Sequence, residues 1–202
     1  MFKLLLLNNI FFTIIIITID GWIFHGDEFP NSLEDKINDS YEQLVFVNRT
    51  AWNALPTTEP IKQLDVIPAP FIMIYHTGTD TCFIRDTCSE IVRALQAKYF
   101  SNYIGDRDIG YNFLISGDGR IYIGRGWDTA GAHTISFNEI SIGIALIGTF
   151  YDKSPTANQI FSLHNLIKLG IHNNHIAREY KYYSSPDMPL NVLAGTKFTI
   201  DF

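Results

Sequence analysis

The chain has 202 residues, 47% of them hydrophobic, enough to bury one sizeable core, and its length suggests one domain. A net charge of −6 argues against the broad basic surface that nucleic-acid binding uses. It leaves room for an anionic ligand held by one or two well-placed arginines.

Residues 1–20 stand apart. Lys3 precedes an apolar stretch, Leu4 to Ile19, broken only by Asn8, Asn9, Thr13 and Thr18. A cationic start followed by a short apolar run reads as a secretory signal peptide, with a membrane anchor as the alternative. The expected localisation is therefore secreted or extracellular, or membrane-anchored. Residues 21–46, mixed and polar with Pro30, read as a linker or N-terminal arm. The domain is expected over 47–202. Asn38-Asp39-Ser40 and Asn48-Arg49-Thr50 are N-glycosylation sequons, usable only in the secretory pathway.

Pro56, Pro60, Pro68 and Pro70 punctuate an extended approach to Phe71–Tyr75, a continuous apolar run that predicts a buried strand. Cys82 and Cys88 are the only cysteines. An even count in an exported chain favours a disulfide over two buried thiols, the alternative that spacing leaves open. Ile91, Val92, Ala94, Leu95 and Tyr99 recur at helical spacing and predict a helix over about 87–101 with one buried face. Tyr111–Ile115 reads as a strand, Gly117-Asp118-Gly119 as a hairpin turn, and Ile121–Ile123 as the return strand. A Gly-rich loop with Arg125, Gly126, Trp127, Gly131 and His133 follows; Trp127 reads as a packing anchor. Ile140–Ile147 predicts another buried strand. Ser154-Pro155-Thr156 opens the last helix, with Pro155 at its first position and Gln159 placed for a capping box with Thr156. Ile160, Leu163, Leu166, Ile167 and Ile171 form its apolar stripe. His172 and His175, three apart near the helix end, read as favourably placed cations rather than a metal site. Strands alternating with two long helices indicate an α/β single domain, a central mixed β-sheet flanked by helices.

The order DIGYNFL, DGR-x-Y-x-GRGW, GAH, N-x-x-SIGI and GTF, between Asp108 and Phe150, closely resembles the peptidoglycan recognition proteins, relatives of the zinc-dependent N-acetylmuramoyl-L-alanine amidases. The resemblance runs from about Val47, where Arg49 and Trp52 match an opening R-x-x-W, to about Tyr183. It implies an amidase-like fold and a short disulfide between Cys82 and Cys88. In the amidases a zinc bound by two histidines and a cysteine acidifies the water that cuts the bond between muramic acid and the first stem alanine. Here the first ligand position holds Tyr75, before His76-Thr77. The second falls on Ser185 and the third on Leu193. A tyrosine must lose its proton to bind zinc well, serine is a poor ligand, and leucine has no lone pair. The expectation is that the chain needs no cofactor and leaves peptidoglycan uncut; zinc would belong only to the alternative of a retained amidase.

The groove residues survive. The resemblance places His76, Thr77, Tyr111, Arg125, His133 and Asn138 along the ligand groove. Tyr111 matches the tyrosine near the family's catalytic water. Hydrogen-bond donors, an aromatic edge and an arginine suit the amides and carboxylates of a muropeptide. Arg125, together with a Gly-Trp pair before DIGY, accompanies diaminopimelate stems in the family. Gly105 matches that pair, while Asp106 stands where the tryptophan is expected. The reading favours bacterial peptidoglycan fragments of diaminopimelate type as ligand, with innate-immune pattern recognition as the role. Another recognition protein or receptor is a further candidate partner, and a receptor partner that no longer binds muropeptide is a further alternative. The C-terminus, Ser184 to Phe202, is shorter than the family pattern and lacks its His-Arg motif.

Overall fold

The structure is a computed structural model. It describes residues 43–57, 60–102 and 108–184, together with the backbone of 4–9, 12–19 and 22–24. The chain divides into two compact units, Met1–Gln43 and Leu44–Phe202. In the first, β1 (Leu4–Asn9), β2 (Phe12–Ile19) and β3 (Trp22–Phe24) pair in that order as an antiparallel sheet, with Leu4 opposite Ile17 and Ile19 opposite Trp22. Among the described residues, no helix is long and apolar enough to cross a membrane.

The second unit is the α/β domain. Its elements are β4 (Phe46–Val47), β5 (Ala69–His76), α1 (Arg85–Asn102), β6 (Phe113–Ile115), β7 (Ile121–Ile123), β8 (Ser141–Leu146), α2 (Ala157–His172) and β9 (Ile176–Ser184). Six strands form one mixed sheet in the order β4-β7-β6-β8-β5-β9. The β6–β7 hairpin is its antiparallel pair; every other neighbour is parallel.

Side-chain alternation along the strands sorts the core onto two faces. Ile72, Ile74, Phe113, Ile115, Ile142 and Ile144 meet Leu163, Leu166 and Ile167 of α2. Leu114, Tyr122 and Ala145 point the other way, to Cys88 and Val92 of α1. Central strands covered on both faces are apolar along most of their length, and β8 is buried throughout, its one hydroxyl, Ser141, donating to the Phe137 carbonyl.

The Cys82–Cys88 disulfide is formed and fastens the start of α1, with the Cα atoms 5.4 Å apart. Gly119, at φ 89°, closes the hairpin turn. The capping box of α2 is present: Thr156 Oγ1 accepts from the Gln159 amide, and the Gln159 side chain accepts from the Thr156 amide. Buried Gln159 also donates from Nε2 to the carbonyls of Ile115 and Ile147, tying the helix to the ends of β6 and β8. The helix begins at Ala157, so Pro155 precedes the N-cap instead of occupying the first helical position; the Thr156 cap sets that boundary.

Tyr111 and Asn112 stand outside the strand expected to begin with them. Asn112 Oδ1 accepts from Gly143, and its Nδ2 donates to the carbonyls of Gly126 and Thr129. The amide side chain thus adds to the main-chain bonds that Asn112 makes with Gly143 and Gly124, and draws the Gly-rich loop onto the sheet.

Candidate functional site

Strand β5 carries Tyr75 and His76 at its C-terminal end, and the loop before β8, which joins that strand opposite Phe71, folds back along it to reach Tyr75. The loop owes its shape to Asn138. Its Oδ1 accepts from the backbone amides of His133 and Thr134, both at 2.7 Å, and its carbonyl accepts from Gly131. That closure presents His133 and Thr134 to Tyr75. The Tyr75 hydroxyl bonds to the Thr134 hydroxyl and stands 3.3 Å from His133 Nδ1. Its ring centroid lies 5.4 Å from Tyr111 and 5.6 Å from His133. Burial raises the Tyr75 phenol above its ordinary range, against the lowering effect of the Thr134 bond, so at neutral pH the group is a protonated phenol.

The His133 ring rests on glycine. A Cβ on either Gly131 or Gly143 would come within 2.2 Å of it. Burial, followed by the charge of Arg125, lowers His133 to about 3, so the imidazole is neutral at pH 7. Its Nε2 is buried and has no hydrogen-bond partner among the described residues.

His76 and Thr77 face the next loop. His76 Nδ1 accepts from the Phe150 amide at 2.9 Å, and its ring meets Tyr151 edge-on at 4.7 Å. Thr77 Oγ1 accepts from the Gly148 amide and bonds to the Thr79 hydroxyl. Both residues fasten the end of β5 while lining it.

Arg125 holds the Gly-rich loop. Its Nε donates to the Ile109 carbonyl at 2.7 Å, Nη1 to Ala130 at 2.9 Å and Nη2 to Asp108 at 3.3 Å. The Asp108 carboxylate itself goes to Arg49 and Gln96. Trp127 is a packing anchor, 4.4 Å from Phe113 and stacked on His175 at 5.1 Å. His175 pairs with Asp128 through Nδ1.

The structure thus gathers Tyr75, Tyr111, His133 and Asn138 into one cluster, with Arg125 beside it and His76 and Thr77 on the adjoining strand end. Gly105, Asp106, Ser185 and Leu193 lie outside the described residues. Sequence reasoning passed over Thr134. Thr134 directly follows the GAH motif, a signal that could have marked it. Tyr99 packs against the core from the buried face of α1, as its spacing predicts, and its ring also meets Tyr111 edge-on at 6.0 Å.

The chain matches the profile of the family described as N-acetylmuramoyl-L-alanine amidase over residues 66–195. It is 37% identical over 141 residues to peptidoglycan-recognition protein LE of Drosophila melanogaster, covering 69% of this chain and 40% of that protein. It is 34% identical over 150 residues to peptidoglycan recognition protein 3 of Homo sapiens, covering 73% of this chain and 42% of that protein. The chain spans under half the length of both relatives. A similar solved structure is peptidoglycan recognition protein-LE in complex with tracheal cytotoxin, a monomeric diaminopimelic acid-type peptidoglycan. There identity is 35% and the TM-score 0.67, covering 69% of this chain and 81% of that one.

Proposed function

Because the chain belongs to the N-acetylmuramoyl-L-alanine amidase family, among its peptidoglycan recognition proteins, we propose that it is an exported pattern-recognition protein that binds peptidoglycan muropeptides without hydrolysing them. The observation that carries this reading is the engagement of Tyr75. The family's first metal-ligand position holds a phenol that burial keeps protonated and that bonds into the 131–140 loop. Zinc needs an anionic or neutral lone-pair donor aimed at it, and a protonated phenol turned toward Thr134 does not fit. Ser185 and Leu193, at the other two positions, offer a weak donor and none.

The groove is lined for binding. Tyr111 and Tyr75 supply an aromatic wall, neutral His133 supplies a polar ring without a charge, and His76 and Thr77 sit at the strand end. An extended stem of amides and carboxylates calls for such a surface. Arg125 is the group suited to the additional carboxylate of a diaminopimelate stem. The tracheal cytotoxin complex of a 35% identical relative supports that preference. The apolar stretch Leu4 to Ile19 supports export.

The test begins with metal analysis of the purified full chain, followed by calorimetric titration with diaminopimelate-type and lysine-type muropeptides. Expected are binding without stoichiometric zinc and no release of stem peptide on prolonged incubation. One zinc per chain with cleavage of the muramoyl-alanine amide would restore the amidase. Absence of any muropeptide binding would remove the recognition role.

A further inference from the structure

The sequon at Asn48 is a site that muropeptide recognition does not use, and the fold leaves its Asn and Thr at the surface. We infer that Asn48 is an acceptor for an N-linked glycan, an inference that rests on the reading of the chain as exported. Asn48 follows β4 and opens a tight turn: the amides of Ala51 and Trp52 both return to its carbonyl, and its Oδ1 accepts from Ala51 at 2.8 Å. The middle residue of the triplet points inward. Arg49 bonds to Asp108, to the Gly124 carbonyl and to the Leu55 carbonyl. The outer two point out. Asn48 and Thr50 are both exposed, and neither Asn48 Nδ2 nor the Thr50 hydroxyl has a hydrogen-bond partner among the described residues. With the amide oxygen held by the turn, the nitrogen is the end of Asn48 at which an attached sugar is compatible with the folded turn.

There is room for what would be attached. An open pocket of about 590 Å³, with Arg49, Thr50 and Asn53 in its lining, lies beside Asn48, which does not itself line it. The co-donor is a lipid-pyrophosphate-linked oligosaccharide of the secretory pathway. Asn48 Nδ2 forms a bond to the sugar C1 as the C1–oxygen bond to the pyrophosphate breaks. The amide gives up one proton, and the lipid pyrophosphate departs with the bonding pair. Attachment happens on the emerging chain; the folded turn then holds the modified side chain in solvent without burying a polar group.

The experiment expresses the full chain in secretory eukaryotic cells, once as it stands and once behind a cleavable heterologous leader. Both carry Asn38→Gln to silence the other sequon. Secreted protein is treated with peptide N-glycosidase and read by intact and peptide mass. Expected is the loss of one glycan's mass, with residue 48 converted to Asp, and no loss in Asn48→Gln or Thr50→Val. Leader-fused protein in the medium with unmodified Asn48 overturns the assignment. Modification of the leader-fused chain alone supports the acceptor site while refuting export by the chain's own N-terminus.

Discussion

The imidazole of His133 lies over Gly143, so close that a Cβ on that residue would stand 2.2 Å from the ring's Cδ2. A loop residue and a central strand residue therefore share one packed layer, and the Tyr75 ring lies 5.6 Å from the His133 ring in it. Gly143→Ala must push the ring away or shift β8. Overpacking of this kind costs about 1–3 kcal/mol, a drop in Tm of several degrees. Muropeptide affinity is expected to fall at least about tenfold, since the displaced ring carries the Tyr75 contact with it. A variant with the parent's Tm and titration would show that His133 does not occupy this layer.

His133 also sets a pH dependence. Its folded value, about 3, lies below the ordinary 6.5, because burial and the nearby Arg125 disfavour the imidazolium. The neighbouring Tyr75 phenol carries no charge to offset this at neutral pH. The unfolded chain therefore binds one more proton than the folded chain between those values. Stability from this group is fully present above about 6.5 and is lost progressively as pH falls toward 3. The slope is at most about 1.4 kcal/mol per pH unit. Chemical denaturation from pH 7 to 4 should show a steeper loss in the parent chain than in His133→Gln. Parallel curves would exclude His133 as the source.

Asp108 joins three elements. Its carboxylate, 1% exposed as a residue, takes two nitrogens of Arg49, the Gln96 side chain from α1, and the Ile109 amide. Asp108→Ala would take the carboxylate from Gln96 and Arg49, leaving them only the carbonyls of Leu55 and, for Arg49, Gly124. The expected loss is about 3 kcal/mol, the low end for breaking a buried pair, because Arg49 retains some contact with water. Arg49→Met combined with Asp108→Ala should cost less than the sum of the two single changes. Strict additivity in urea denaturation would argue against the coupling.

Much of this fold could be read from local pattern. The apolar runs at 71–75 and 140–147 mark strands buried on both faces, and Thr156 with Gln159 announces the start of α2. The edges were harder. In β9, Arg178, Glu179 and Lys181 are exposed, so no continuous apolar signal marks the strand. β4 is only two residues long. The site was legible only residue by residue. The motifs pointed to Tyr75, His133 and Asn138, but the Tyr75–Thr134 bond spans 59 residues of chain, and the His133–Gly143 layer depends on how a loop folds back on its own strand. Neither has a sequence period. Arg125 reads from the sequence as a ligand-binding group, and it also bonds to three main-chain carbonyls, acceptors that every sequence supplies and none advertises.

That bonding makes Arg125 the residue where support and recognition must be separated by experiment. Arg125→Ala removes donors from the carbonyls of Ile109, Ala130 and Asp108, so some loosening of the loop is expected whatever the ligand. Loosening alone would weaken diaminopimelate-type and lysine-type muropeptides equally, because both present the same sugar and early stem. A guanidinium engaged with the extra carboxylate of diaminopimelate would act on one ligand only. The expected result is a loss of more than about fivefold for the diaminopimelate type, roughly 1 kcal/mol or above, against less than about twofold for the lysine type. Arg125→Lys should keep the charge and recover part of the loss, since a lysine cannot reproduce the fork. Equal losses for the two ligands in paired calorimetric titrations would assign Arg125 to the loop alone and move stem selection elsewhere in the groove.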